Sequence, residues 1–252
     1  MMRVNGFNKL TLLDYPGHVS VICFVSGCQL RCPFCHNPSL VIFDTDKVSC
    51  VPEISEEFIW DHIERRSGFI DGLVMSGGEP LLQDGLEGFL QKARNKGLNI
   101  KIDTNGLLPQ RLKILISKGL VDHVALDYKS PAGSFDRTTG LKYPGCYPIL
   151  AEYLDDWRKS LAILRESSIS YELRTTIVKE LHPPGTIDLM AREIEKGKPE
   201  GEKWFLQTYR NTGPVMNDHT HSEVSLSAYT SSEMMEITDK IKGEGRYELR
   251  SR

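Results

Sequence analysis

Cys28, Cys32 and Cys35 are the residues of this chain best suited to chemistry. They fall within eight residues, in Cys28-Gln29-Leu30-Arg31-Cys32-Pro33-Phe34-Cys35-His36. Thiols at this density in one short segment admit four readings. Three cysteines and His36 give a zinc-type donor set, but such ligands usually come as two separated pairs, and adjacent Cys35 and His36 reach one tetrahedral ion with difficulty. Cys32-Pro33-Phe34-Cys35-His36 matches the pattern of covalent haem attachment, which normally belongs to exported proteins and leaves Cys28 without a task. Cys32 and Cys35 form a thioredoxin-like redox pair on paper, again without Cys28. The fourth reading is an iron–sulfur cluster. A 4Fe–4S cube normally takes four thiolates, so three cysteines leave one iron open. An open metal position marks a catalytic site rather than a structural one. Three apolar core cysteines are a poor alternative, because Gln29, Arg31 and His36 sit among them and Pro33 breaks regular structure.

The elements that position this loop read as alternating strands and helices. His18–Val25, Gly72–Met75, Leu98–Asp103, Val121–Asp127, Tyr171–Val178 and Lys203–Tyr209 read as strands. Helical patterns over Ser55–Arg66, Asp84–Lys96, Pro109–Lys118, Ala151–Glu166 and Ile187–Glu195 lie between them. Thr230 with Glu233 predicts a capping box for a last helix reaching about Ile241, and Tyr247–Arg250 a closing strand. Residues 211–229 read as a polar loop. About six β/α units predict an α/β fold with a parallel sheet, either an open partial barrel or a doubly wound sheet. No Pro-, Gly- or Ser-rich linker interrupts the chain, so residues 1–252 are expected to form one domain.

In such folds ligands bind at the carboxyl ends of strands. The unusual residues cluster there. The second strand runs into Ser76-Gly77-Gly78-Glu79-Pro80, the third ends in Asp103-Thr104-Asn105-Gly106, and the fourth in Asp127-Tyr128-Lys129. The fifth carries Arg174, and the sixth runs into Tyr209-Arg210. The Gly pair equally suits a tight turn, Asp103 an Asx turn over Asn105-Gly106, and Lys129 a solvated loop.

Composition excludes several classes. Of 252 residues, 40% are hydrophobic and 26% charged, so the chain is not compositionally disordered. Lys and Arg number 31 against 34 Asp and Glu, a net charge of −3 that gives no sign of nucleic-acid or membrane-surface binding. No apolar run approaches the roughly 18 residues of a bilayer span, and the N-terminal residues lack the order of a signal peptide. A cytoplasmic location is the expectation. Six cysteines in a chain this long are too sparse for a secreted disulfide scaffold. Cys23 reads as strand packing; Cys50 and Cys146 have no assigned partner, and His219 and His221 no role.

The spacing Cys-x3-Cys-x2-Cys with an aromatic before the last cysteine resembles the cluster motif of the radical S-adenosylmethionine superfamily. Leu12–Gly17 (LLDYPG), Cys28–Pro38 (CQLRCPFCHNP), Ser76–Gln83 (SGGEPLLQ), Asp103–Gly106 (DTNG) and Leu126–Lys129 (LDYK) together resemble the activating proteins of glycyl radical enzymes. The likeness is greatest to the anaerobic ribonucleoside-triphosphate reductase group, with pyruvate formate-lyase activating enzyme close by. It runs from about Phe7 to the C-terminus. The resemblance implies a partial, TIM-like barrel of six β/α units and a 4Fe–4S cluster on Cys28, Cys32 and Cys35. It also implies one-electron cleavage of S-adenosylmethionine to a 5′-deoxyadenosyl radical equivalent, which takes a hydrogen atom from a glycine of the partner enzyme. Phe34 and His36 match positions that contact the adenine, and Gly77, Gly78 and Glu79 the motif that meets the methionine amine. Asp103, Asp127 and Lys129 match positions around the cofactor, the two aspartates also near a monovalent cation. Lys129 and Arg174 suit the cofactor carboxylate. Relatives tend to have a His near Arg210 that touches the adenosine, where this chain has Tyr209-Arg210. Flavodoxin or ferredoxin is the implied electron donor. A radical enzyme acting on a small molecule shares every cluster motif, and a non-enzymatic iron–sulfur or zinc module shares the cysteines.

Overall fold

The computed structural model describes residues 2–41, 51–140, 150–213, 215–216, 225–242 and 247–250. Cys50, Cys146, His219 and His221 lie outside the described residues, as does much of the expected loop 211–229. By contact density the chain forms two compact units. One comprises residues 1–29, 39–125 and 156–170, the other 30–38, 126–155 and 171–252.

The first unit opens with β1 (Val4–Thr11) and β2 (Ser20–Val25), paired antiparallel with irregular register on both sides of Gly6–Asn8. β1 was not expected from the sequence. Its residues, VNGFNKLT, carry two Asn and a Gly, which are depleted in strands, and only its two ends are buried. β2, SVICFV, is an apolar, β-branched run buried on both faces, as a strand inside a parallel sheet should be. It begins at Ser20 rather than at the expected His18. After the short α1 (Pro38–Val41) and α2 (Glu56–Glu64) come β3 (Gly72–Gly77) and a 3₁₀ turn at Pro80–Leu82. Then follow α3 (Leu86–Asn95), β4 (Asn99–Thr104), α4 (Pro109–Ser117) and the start of β5 (His123–Asp127). β3 pairs parallel with β2 from Ser20↔Gly72 to Val25↔Gly77, and β4 parallel with β3.

The helices read as the periodicity predicts. Ser55 caps α2, its Oγ accepting from the Phe58 N–H at 3.2 Å. The buried face of α2 is Ile59, Trp60 and Ile63, and that of α3 is Leu86, Phe89, Leu90 and Ala93. The Trp60 and Phe89 rings meet at 4.4 Å between centroids. Each of the buried Ile, Leu and Phe side chains contributes about 1.5–3 kcal/mol of transfer free energy. Inside the sheet, Tyr15 packs on Ile22, Val74 and Phe24.

The second unit takes the end of β5, the short α5 (Phe135–Thr139), the start of α6 (Leu150–Glu166), and β6 (Ser170–Ile177). It continues through α7 (Pro184–Glu195), β7 (Trp204–Thr208), α8 (Ser231–Lys242) and β8 (Tyr247–Arg250). β7 pairs parallel with both β6 and β8. α7 starts three residues before the expected Ile187. Pro183 and Pro184 open it, where a proline ring is preorganised and a missing N–H costs nothing. Strand order within each unit follows the sequence, the architecture is α/β with mostly parallel strands, and the fold class agrees with the expectation. Among the described residues no helix is long and apolar enough to cross a membrane.

The expected capping box is formed. Glu233 accepts from the Thr230 N–H at 2.8 Å, and Thr230 Oγ1 accepts from the Glu233 N–H at 3.2 Å. Lys179 Nζ donates to Glu233 Oε1 at 2.6 Å, and with the cap it holds the Glu233 carboxyl at about 2, below its ordinary 4.5. A depressed carboxylate stabilises the fold above its unfolded value and loses that effect as pH falls toward its folded one. The stability difference between wild type and Glu233→Gln should therefore be full at pH 7 and shrink between about pH 5 and pH 2, read by urea denaturation.

Candidate functional site

In the first unit the ends of β2, β3 and β4 are tied together. The Gly78 N–H donates to Val25 O at 2.8 Å and the Glu79 N–H to Gly27 O at 2.7 Å. Gly77 ends β3 at φ +107°, a conformation that L side chains rarely adopt, and a Cβ there would lie 2.5 Å from Val25 N. A Cβ on Gly78 would lie 2.1 Å from Gly27 O. Both glycines thus serve a close backbone approach to the end of β2, Gly77 at Val25 and Gly78 at Gly27, the residue before Cys28.

Glu79 is buried, 1% exposed. Its Oε1 accepts from the Leu81 N–H at 3.1 Å and from Thr104 Oγ1 at 2.8 Å; its Oε2 accepts from the Asn105 N–H at 2.8 Å. Glu79 therefore caps the 3₁₀ turn and clamps the end of β4. Asn105 Nδ2 in turn donates to Gln29 Oε1 at 3.2 Å and lies 3.7 Å from Cys28 Sγ. One network joins three segments that the sequence separates: the first cysteine, the glycine–glutamate turn and the Asp103–Gly106 turn.

Asp103 accepts from Ser76 Oγ at 3.1 Å and pairs with Lys101 Nζ at 3.7 Å. The Asx turn considered for Asp103 belongs instead to Asn105, whose Oδ1 accepts from the Leu107 N–H at 3.1 Å. Thr104 Oγ1 takes the Gly106 N–H. Lys101 itself was missed. The signal lay in the alternation of β4, which sets Lys101 and Asp103 on one face of a strand buried on both.

In the second unit, the Cys35 N–H donates to Cys32 O at 2.9 Å, making a turn between the last two cysteines. The Arg31 N–H bonds Thr139 O, and the Met216 N–H bonds Cys35 O. Gly140, at φ +71°, packs against Arg31 so closely that a Cβ would lie 2.2 Å from Arg31 O. Cys32 is 7% exposed, and burial pushes its thiol up to about 12; burial raises Cys35 as well. None of Cys23, Cys28, Cys32 and Cys35 is in a disulfide.

Arg174 forks onto Asp127, with Nε and Nη2 at 3.2 and 3.0 Å from Oδ1, while Lys129 Nζ lies 3.1 Å from Oδ2. Within this unit Asp127 is an anion that the inward Arg174 holds. Phe34 is 6% exposed, edge-on to the His182 ring at 6.3 Å, with Lys129 Nζ 5.9 Å from its centroid. His36 stacks on Tyr209 at 5.5 Å and 22°, so Tyr209 is the residue that meets the end of the cysteine loop, and Arg210 is exposed. His182, absent from the sequence expectations, is fully buried. The Val178 N–H donates to its Nδ1 at 3.1 Å, so Nε2 carries the proton and donates to Lys129 O at 2.7 Å. Burial lowers its pKa, which keeps the ring neutral. No periodicity marks it, because it sits in the turn before α7.

The donor chemistry fits an iron–sulfur cluster: three cysteines on one loop, none of them in a disulfide, with burial favouring the protonated thiol at Cys32 and Cys35 so that a metal must displace those protons. Among the described residues, no three His, Cys, Asp or Glu side chains are placed as ligands of a single metal ion. The two aspartates expected beside a monovalent cation fit that group poorly. Lys101 already pairs with one, Arg174 and Lys129 with the other.

A family model described as the Radical SAM superfamily matches residues 22–180. A protein of Methanocaldococcus jannaschii named as a glycyl-radical enzyme activating enzyme is 31% identical over 193 residues, 76% of this chain and 75% of its own length. Pyruvate formate-lyase-activating enzyme of Listeria monocytogenes is 38% identical over 109 residues, 41% of this chain and 42% of that protein. The pyruvate formate-lyase 1-activating enzyme of Escherichia coli is 30% identical over 131 residues, covering 50% and 52%. The chain therefore aligns with about half or less of those two relatives. Among solved structures, Streptococcus suis SuiB bound to S-adenosylmethionine superposes with a TM-score of 0.61 at 12% identity, over 92% of this chain and 51% of that one. TYW1 with a lysine–pyruvate adduct gives 0.56 at 16%, over 90% and 74%. At such identities these two matches speak to the fold.

Proposed function

Because the chain belongs to the radical SAM superfamily, we propose that it is an enzyme that activates a glycyl radical enzyme, most specifically an anaerobic ribonucleotide reductase. In this reading Cys28, Cys32 and Cys35 hold a 4Fe–4S cluster, and S-adenosylmethionine binds beside it. With both bound, they supply one-electron cleavage of the sulfonium S–C5′ bond and hydrogen-atom abstraction from a partner glycine.

The observation that carries this reading is the Glu79–Asn105–Cys28 network, which joins the first cysteine to the Gly77-Gly78-Glu79 turn and the Asp103–Gly106 turn. The chain's own residues position and shield. Glu79 spends its carboxylate on Leu81, Thr104 and Asn105, and this reading gives the methionine amine to the backbone of the Gly77-Gly78 turn. Arg174 and Lys129, set on Asp127, give a fixed cationic edge for the methionine carboxylate. Phe34 and His36 flank the last cysteine for the adenine, with Tyr209 behind His36 and Arg210 toward solvent. Burial of Cys32 and Phe34 excludes water from the reacting centre. The protein would work in an anaerobic cytoplasm, with reduced flavodoxin or ferredoxin as donor.

The test is electron paramagnetic resonance. Reconstituted protein, reductant and S-adenosylmethionine are mixed anaerobically with the ribonucleotide reductase of the same cell, and separately with its pyruvate formate-lyase. A glycyl radical on the reductase is expected. A radical on the lyase alone would reassign the target. A radical on neither, with cofactor cleavage intact, would overturn the activating role in favour of a small-molecule substrate.

A further inference from the structure

Lys101 has no exposed surface. A buried ammonium is costly unless it is paired and hydrogen-bonded. Its Nζ donates to the main-chain oxygen of Asp14 at 2.6 Å and stands 3.7 Å from Asp103 Oδ1. Asp14 is itself fixed, accepting from Thr11 Oγ1 at 2.6 Å, and Asp103 accepts from Ser76 Oγ at 3.1 Å. Lys101 and Asp103 are two residues apart on β4 and share a face, so the ammonium runs alongside the carboxylate from within the fold. The cation is covalently held, enclosed and oriented from two sides.

We infer that Lys101 is a built-in counter-cation, a positioning residue that fixes Asp103 in the cofactor site and does the work a bound monovalent cation would otherwise do there. The inference rests on the reading of Asp103 as part of the S-adenosylmethionine site. Asp127 is treated the same way within its own unit, by Arg174 and Lys129. A protein so equipped needs no potassium or sodium ion at either carboxylate.

The first arm of the test uses the protein without cluster or S-adenosylmethionine, so it can fail separately from the site reading. A cation that binds the native state raises its melting temperature. Wild type should melt at the same temperature in potassium, sodium and choline chloride at equal ionic strength. The second arm measures S-adenosylmethionine binding to reconstituted protein by equilibrium dialysis. Wild-type affinity should not change among the three salts. Lys101→Met should bind about tenfold more weakly, because Asp103 loses the ion pair that holds it, and Lys101→Arg within about twofold of wild type. Wild-type melting or binding that depends on potassium or sodium would overturn the inference. So would Lys101→Arg binding as poorly as Lys101→Met, since packing rather than charge would then be the role. Should Lys101→Met not fold, Lys101→Arg and the wild-type salt comparison decide the matter.

Discussion

Gly78→Ala should lose about 3 kcal/mol of stability, near the top of the range for overpacking, and should take up little iron on reconstitution. The added methyl would stand 2.1 Å from Gly27 O and 2.7 Å from Gly27 C. Both are backbone atoms, so no side chain can swing aside. Relief requires the two strand ends to separate, which breaks the 2.7 Å bond from the Glu79 N–H to Gly27 O and shifts the residue before Cys28. Gly88→Ala in α3 is the control. Nothing lies within 4 Å of its Cβ, and helix propensity predicts no loss, or a gain of up to about 1 kcal/mol. Urea midpoints and iron content per chain read both variants. Equal behaviour of the two would contradict the close-approach account.

Glu79→Gln should be nearly as damaging although it preserves shape. The carboxylate accepts from three donors: the Leu81 and Asn105 N–H groups and the Thr104 hydroxyl. An amide has one acceptor oxygen and one NH₂. In either orientation its NH₂ faces a buried N–H, leaving donor against donor. The expected cost is about 3 kcal/mol, the sum of a lost charge-assisted bond and an unsatisfied donor. Asn105 would be released, and with it the contact to Cys28 Sγ. A stability change under about 0.5 kcal/mol, within the range of neutral surface substitutions, would show that Glu79 does not hold the turn.

Much of this site was legible because its signals are local. The cysteine spacing, Gly77-Gly78-Glu79 and Thr104-Asn105-Gly106 are short segments whose chemistry is written in consecutive residues. The Thr230–Glu233 cap is likewise a three-residue rule, and it forms as expected. What escaped depends on long-range pairing. Arg174 announced its need for an anion, but Asp127 lies 47 positions away. Lys101 alternates in a strand like any polar residue until burial of both faces is known. His182 joins Val178 to Lys129 from a turn that has no period to read. β1 fails by propensity and forms because β2 offers an edge to pair with.

The measurement that tests the central claim most directly is anaerobic. The protein is reconstituted with iron and sulfide, reduced with dithionite and given S-adenosylmethionine, and 5′-deoxyadenosine is quantified beside a Cys32→Ala control. The account predicts 5′-deoxyadenosine from the wild type and none from the variant. Failure to assemble any iron–sulfur cluster on the wild type, or equal product from both proteins, would contradict it.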